Sequence, residues 1–486
     1  MTAATLDRRM PPLTASRPTF AWLRERGMGA TILVAAISTA FGVVLLSATG
    51  YLSASFRAND LYGTSDTMTL VLAVLSVILL AVAIYVAAIV TANTFSTIIA
   101  GRTRRIALMR LIGASARSQR SDVAGQGFAV GAIGAVLGLV GATLAVAASL
   151  PLLDGALGVS TDYAAAQPVL LLPAVAVALT TWAAAWAGSR RVLTVTPLQA
   201  LGGAVEQTTE VLEGRRGRNV GAWILGLGGV ALLVLGILAG MVTPAGVIVS
   251  FVGGLLSFTA LTLSATAILP RLLRATGRLF GGSVTARLAA ENAVRYPERS
   301  SRMAIGVVMG VALVVMFAVA AESAKALVAA SSGGTPDAAF EQMVDSFSTV
   351  MMSLVAVSAV IAAVGLVNLL TIGVVQRRRE LGLLRALGLT APQIRRMVLM
   401  ESAHVTVTAL AFGLVLGVVY GWVAAQSLLG SVAMPPLWIS PTFVAPAIPW
   451  LPVAIVITAT AALTLVAAVM PTRIATRTAP VEALAD

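Results

Sequence analysis

The chain of 486 residues has no cysteine, one histidine and little charge. Without cysteine there is no disulfide, no thiolate metal site and no thiol redox chemistry. With His404 alone, a multi-histidine metal site is excluded. Lysine is nearly absent too: of 33 basic residues, only Lys325 is not arginine. A Walker A loop needs Gly-x-x-x-x-Gly-Lys-Ser/Thr to cradle phosphates. Lys325 stands in AESAKAL, without those glycines, so the chain does not hydrolyse ATP by that route. No Ser–His–acid set or paired carboxylates suggest enzyme chemistry. Charged residues make up 11% of the chain, against about 25% in a soluble domain.

What is present is apolar. Hydrophobic residues are 58% of the chain, and windows of about 20 of them mark membrane spans. Ten are expected, at 29–53, 68–98, 123–149, 168–188, 220–240, 246–270, 303–326, 346–375, 399–428 and 448–471. The second and eighth are long enough to continue into water. The fifth and sixth form a hairpin around MVTPAG, where Pro244 and Gly246 mark the turn. The basic N-terminus and first apolar run look like a signal peptide, but the run is too long for one, and an uncleaved first span is expected.

The net charge of +13 follows this span map. Of the 33 Lys and Arg residues, 31 fall on one side of the expected membrane. Arg57 and Lys325 fall on the other, with Asp60, Asp66, Asp154, Asp162, Glu322, Asp337, Glu341 and Asp345. The positive-inside rule puts the basic loops and both termini in the cytoplasm; the expected membrane is a bacterial plasma membrane. The charge is topological, and nucleic acid is not an expected partner.

The sequence overlays itself at one constant offset. Met28 falls on Met303, Asn93 on Asn368, Leu108 on Leu383, Arg110 on Arg385, Gly113 on Gly388 and Gln126 on Glu401. The fourth and tenth spans match at a slightly larger offset, which sets Pro197 on Pro480. Both copies end alike, in TPLQAL and APVEAL. The expected architecture is an all-α polytopic membrane protein of two parallel four-helix repeats joined by a two-helix linker. Its parts are a cytoplasmic segment 1–28 with an interfacial helix, the first repeat 29–201, a linker 202–219, a hairpin 220–270, an interfacial linker 271–302 and the second repeat 303–486.

The most charged stretch, RRRELGLLRALGLTAPQIRR at 377–396, lies between two spans. On a helix, Leu381, Leu384 and Gly388 share one stripe. Gly388 suits a helix end, since glycine takes the left-handed conformation without steric cost. Thr390 with Gln393 three residues on reads as a capping box, with Pro392 in the first turn. The first copy repeats the stop at Gly113 and the cap at Ser115, but Ser118 stands where the box needs Glu or Gln. A short amphipathic helix at the end of a span can seat in a groove of a cytoplasmic partner or lie on anionic lipid.

This stretch resembles the signature of the FtsX-like permease domain of ATP-binding-cassette systems, the MacB and LolC/LolE superfamily. The Pro-x-x-Ala-Leu ends at Pro197–Leu201 and Pro480–Leu484 resemble it as well. Two four-span units joined by two extra spans resemble the ten-span bacitracin-efflux-type permeases. The resemblance covers about 20–200 and 295–484. It implies that the stretch is a coupling helix docking on a separate ATPase subunit, which binds the ATP and Mg; no cofactor is expected in this chain. Carried over, the second coupling helix offers Arg379, Glu380, Leu383, Leu384, Arg385 and Gly388. The first offers Arg104, Arg105, Leu108, Met109, Arg110 and Gly113. Arg105 stands where the family pattern has Glu, so the two dockings are not expected to be equivalent.

The family's large extracellular domains are missing, since the gaps at 54–67 and 327–345 are short. The resemblance implies mechanotransmission, with ATP-driven closure of the partner working the levers. Two coupling helices suggest two ATPase copies, and the lack of an ectodomain makes a lipid-like or amphipathic substrate, exported or extracted, the expected one. The alternative is a complex that transports nothing and regulates an extracellular partner such as a cell-wall hydrolase. An ion-coupled secondary transporter fits less well, because such carriers commonly use inverted repeats. Four polar residues within or at the ends of spans are singled out. Asn93 and Asn368 suit interhelical hydrogen bonding or contact with substrate. Glu401 and His404, three apart on one helix face, suit a structural role or a proton relay. Their place within about one turn of the cytoplasmic interface predicts easy wetting.

Overall fold

The computed structural model describes residues 28–57, 115–157, 163–189, 216–277, 284–295, 297–331, 388–433 and 443–475, with isolated positions between 74 and 113 and at Leu383. In these residues the chain is helical and has no strand. Nine α-helices follow one another there: α1 Met28–Arg57, α2 Ala116–Leu157, α3 Leu171–Gly188, α4 Arg216–Gly240, α5 Gly246–Gly277, α6 Val284–Arg295, α7 Pro297–Ser331, α8 Ala391–Leu429 and α9 Trp450–Ala475. Helix is the only open-ended way to satisfy every backbone N–H and C=O inside lipid, which explains the uniformity. Seven of the described helices are long and apolar enough to cross a membrane, and α9 contributes a shorter apolar stretch, Trp450–Leu465. The chain is an all-α, multi-pass membrane protein.

Eight of the ten expected spans fall on these helices. The other two, 68–98 and 346–375, lie outside the described residues apart from a few positions such as Val82 and Tyr85. The helices outrun their apolar windows. α2 has 42 residues and α8 has 39, roughly 60 Å each at about 1.5 Å per residue. A bilayer core is about 30 Å thick, so both helices project well beyond it. In α8 the added length is at the N-terminal end, and α2 is extended at both ends; the polar segments after Gly113 and Gly388 run into the spans without a break.

Packing follows the rule for lipid, where neighbouring chains gain little from the hydrophobic effect and close approach decides. In the first half, α1, α2 and α3 pack together. A Cβ on Gly134 of α2 would lie 2.5 Å from Ala35 Cβ and 2.8 Å from Ile32 O of α1. In the second half, α7 and α8 pack in the same manner. A Cβ on Gly417 would lie 2.6 Å from Val315 Cβ and 2.9 Å from Ala312 O. α7 is central, with 72% of its apolar window buried, whereas α4 is peripheral at 22%. The main core gathers Val34, Phe41 and Leu45 of α1 with Phe258 and Leu269 of α5, Val308 and Val315 of α7, and Val405 of α8.

The hairpin α4–α5 packs on the second half, against α7 and α8. Its turn is closed by Thr243 N–H donating to Ala239 O at 2.9 Å and Gly246 N–H donating to Thr243 O at 3.0 Å. The backbones of Gly240 and Ser427 are pressed together at this end. Nearby, the non-helical segment before α9 is fixed by side chains. Val444 N–H donates to Gln426 Oε1 at 2.7 Å, Trp422 Nε1–H to Val444 O at 3.0 Å, and Ala447 N–H to Ser323 Oγ at 3.0 Å. Irregular backbone needs such partners when water is scarce.

α6 lies in the expected interfacial linker and packs one face on protein. Ala289 is buried with Ile394, Met397 and Val398 of α8. Leu288 stays 40% exposed.

Candidate coupling site

The two glycines singled out by the repeat adopt the same unusual backbone. Gly113 has φ +100° and Gly388 has φ +102°, a region that glycine enters without steric penalty. Leu108 and Met109 are helical ahead of Gly113, and Leu383 is helical ahead of Gly388. Leu108 and Leu383, which superpose in the repeat, are 49% and 53% exposed.

The following helices are capped by their own sequences. Thr390 and Gln393 form a capping box at the start of α8, with Pro392 in the first turn. Thr390 N–H donates to Gln393 Oε1 at 2.9 Å, and the Thr390 hydroxyl donates to the same oxygen at 3.0 Å. Ahead of α2, Ser115 Oγ accepts from Ser118 N–H at 3.0 Å. That is the N-cap bond without its reciprocal arm. The other candidate coupling residues, Arg104, Arg105, Arg110, Arg379, Glu380, Leu384 and Arg385, lie outside the described residues, as do Asn93 and Asn368.

Each helix emerging from a stop is braced by a different neighbour. Arg120 of α2 lies 4.0 Å from the centre of the Trp186 ring of α3, and its guanidinium donates to Trp186 O at 3.3 Å. α8 leans instead on α6, through Ile394, Met397 and Val398. Neither brace shows in the sequence. A lone Trp or Ala in an apolar run does not say which helix it faces.

Glu401 and His404 contradict the expectation of easy wetting: both are buried, at 4% and 1% exposure. The cause is cover from α5 and α6. Asn292 Nδ2–H donates to Glu401 Oε2 at 3.4 Å. His404 Nε2 lies 2.8 Å from Leu273 O and 3.1 Å from Thr276 Oγ1. Thr276 Oγ1 lies 2.6 Å from Thr408 Oγ1. Asn292, Thr276 and Thr408 escaped the sequence reading. The signal for Thr408 was its place one helical turn after His404.

Comparison with known proteins matches these features to one family. The FtsX-like permease C-terminal family matches at 77–197 and again at 352–480. The starts of the two matches are set apart by the first offset of the internal repeat, and their ends by the second. The ABC transporter permease YtrF of Bacillus subtilis (strain 168) is similar over a short segment, 35% identical over 60 residues. That segment is 12% of this chain and 14% of YtrF. The two family matches cover just over half of the chain, which belongs to the FtsX-like permease family.

Proposed function

We propose that the chain is the membrane permease of an ABC complex. In this reading a separate ATPase subunit binds ATP and Mg, and its closure is delivered through two coupling helices that end at Gly113 and Gly388. The supporting observation is the paired stop: two left-handed glycines at equivalent places, each preceded by a half-exposed leucine, Leu108 or Leu383. A leucine held out on a short helix is the side chain that helix-in-groove docking uses. The arginines around it suit a docking surface with acidic character. The positive-inside bias then puts both stops, and the ATPase, in the cytoplasm.

The motion would pass along α2 and α8 to the opposite face, as mechanotransmission. The short loops there suit a lipid-like or amphipathic substrate taken from the outer leaflet. Two coupling helices on one chain suit two ATPase copies, so the complex is expected to hold one permease and two ATPases. Native mass spectrometry of the complex purified from membranes measures this ratio directly. Two permease chains for two ATPases would overturn the arrangement.

A further inference from the structure

α5 ends where α8 has run about four turns into its length, and polar side chains tie the two. α8 supplies a further donor to a carbonyl near the end of α5. Leu273 O can only accept, so His404 Nε2 carries the proton and donates to it at 2.8 Å. Thr408 donates its single hydroxyl proton to His404 O at 2.8 Å. Thr276 has a matching carbonyl acceptor in its own helix, Leu272 O at 3.1 Å, and the two hydroxyls meet across the helix interface at 2.6 Å, one donating to the other. Gly277 lets the helices close: a Cβ there would lie 3.3 Å from His404 Cε1. α6 joins from a third side through Asn292 and Glu401.

The first half has no counterpart in its sequence. Ala129 and Ile133 stand where the repeat sets His404 and Thr408, and their side chains form no hydrogen bonds. The first stop is followed by the Arg120–Trp186 contact, which leads to α3 within the same half.

We propose that His404, Thr276 and Thr408 are positioning residues forming a joint that makes the stop end of α5 move with α8. Motion arriving at Gly388 is then passed to the linker hairpin through hydrogen bonds that the equivalent positions after Gly113 lack. The two coupling sites are thereby mechanically unequal. This rests on the coupling reading of the two stops.

The cysteine-free chain allows spin labels at introduced cysteines alone. Two pairs serve in the nanodisc complex with the ATPase that co-purifies: Arg117→Cys with Arg274→Cys, and Arg117→Cys with Arg396→Cys. All three sites are exposed. Distances are read by pulsed electron paramagnetic resonance before and after trapping with Mg-ATP and vanadate. Both pairs are expected to shift in the parent chain. With Thr276→Val, nearly isosteric, the 117–274 shift is expected to fall at least twofold while the 117–396 shift persists. Thr276→Ser, which keeps the hydroxyl, is expected to restore it. Equal shifts in Thr276→Val and the parent chain would overturn the joint and leave the coupling reading standing. No shift in either pair of the parent chain would overturn both.

Discussion

Gly113 and Gly388 occupy equivalent places in the two repeats and share one backbone geometry, at φ +100° and +102°. A Cβ at either site would meet nothing within 4 Å. Any side chain there is opposed by the backbone and not by crowding. A left-handed residue other than glycine costs about 1–2 kcal/mol, and asparagine bears it better than alanine. Gly388→Ala and Gly113→Ala are expected to destabilise by about 1 kcal/mol each, with Gly388→Asn milder. Thermal unfolding in nanodiscs measures all three. A Gly388→Ala protein as stable as the parent would mean that the left-handed stop is not required.

The cap at Thr390 makes a separate prediction. Losing an N-cap side chain costs about 1 kcal/mol, and the loss is felt in the first helical turn. Thr390→Ala is expected to raise amide hydrogen exchange at 391–394 while leaving the centre of α8 protected. Gln393→Ala removes the acceptor of both Thr390 bonds and is expected to act in the same direction. Unchanged exchange in both variants would show that α8 starts without the box.

Close helix contact is tested by two glycines of different surroundings. Gly417→Ala places a Cβ 2.6 Å from Val315 Cβ, and overpacking of this kind costs about 1–3 kcal/mol. Gly141→Ala meets nothing within 4 Å and is expected to be neutral or stabilising by up to about 1 kcal/mol, from helix propensity. The melting temperatures are thus expected to move in opposite senses. A Gly417→Ala protein as stable as the parent would refute the packing of α7 against α8.

The features legible in the sequence were the local ones. Gly388, Thr390 and Gln393 carry their conformational chemistry within a few residues, so the stop and the cap could be read directly. Apolar windows located eight described helices because length and composition set them. Facing could not be read. Thr276 meets His404 across 128 positions, and Arg120 meets Trp186 across 66. In a helix apolar on every side, periodicity names no partner. His404 was expected to be wet for this reason: its depth along α8 was legible, while the cover from α5 and α6 was not.

Coupling itself is tested most directly by ATP turnover of the complex in nanodiscs, with Arg385→Ala and Glu380→Ala beside the parent chain. Both variants are expected to fold and insert, since each change lies on a charged segment between spans. Both are expected to release ATP hydrolysis from control by the membrane subunit, or to lose the ATPase on purification. Turnover and assembly equal to the parent's in both variants would contradict a docking role for the stretch at 377–396.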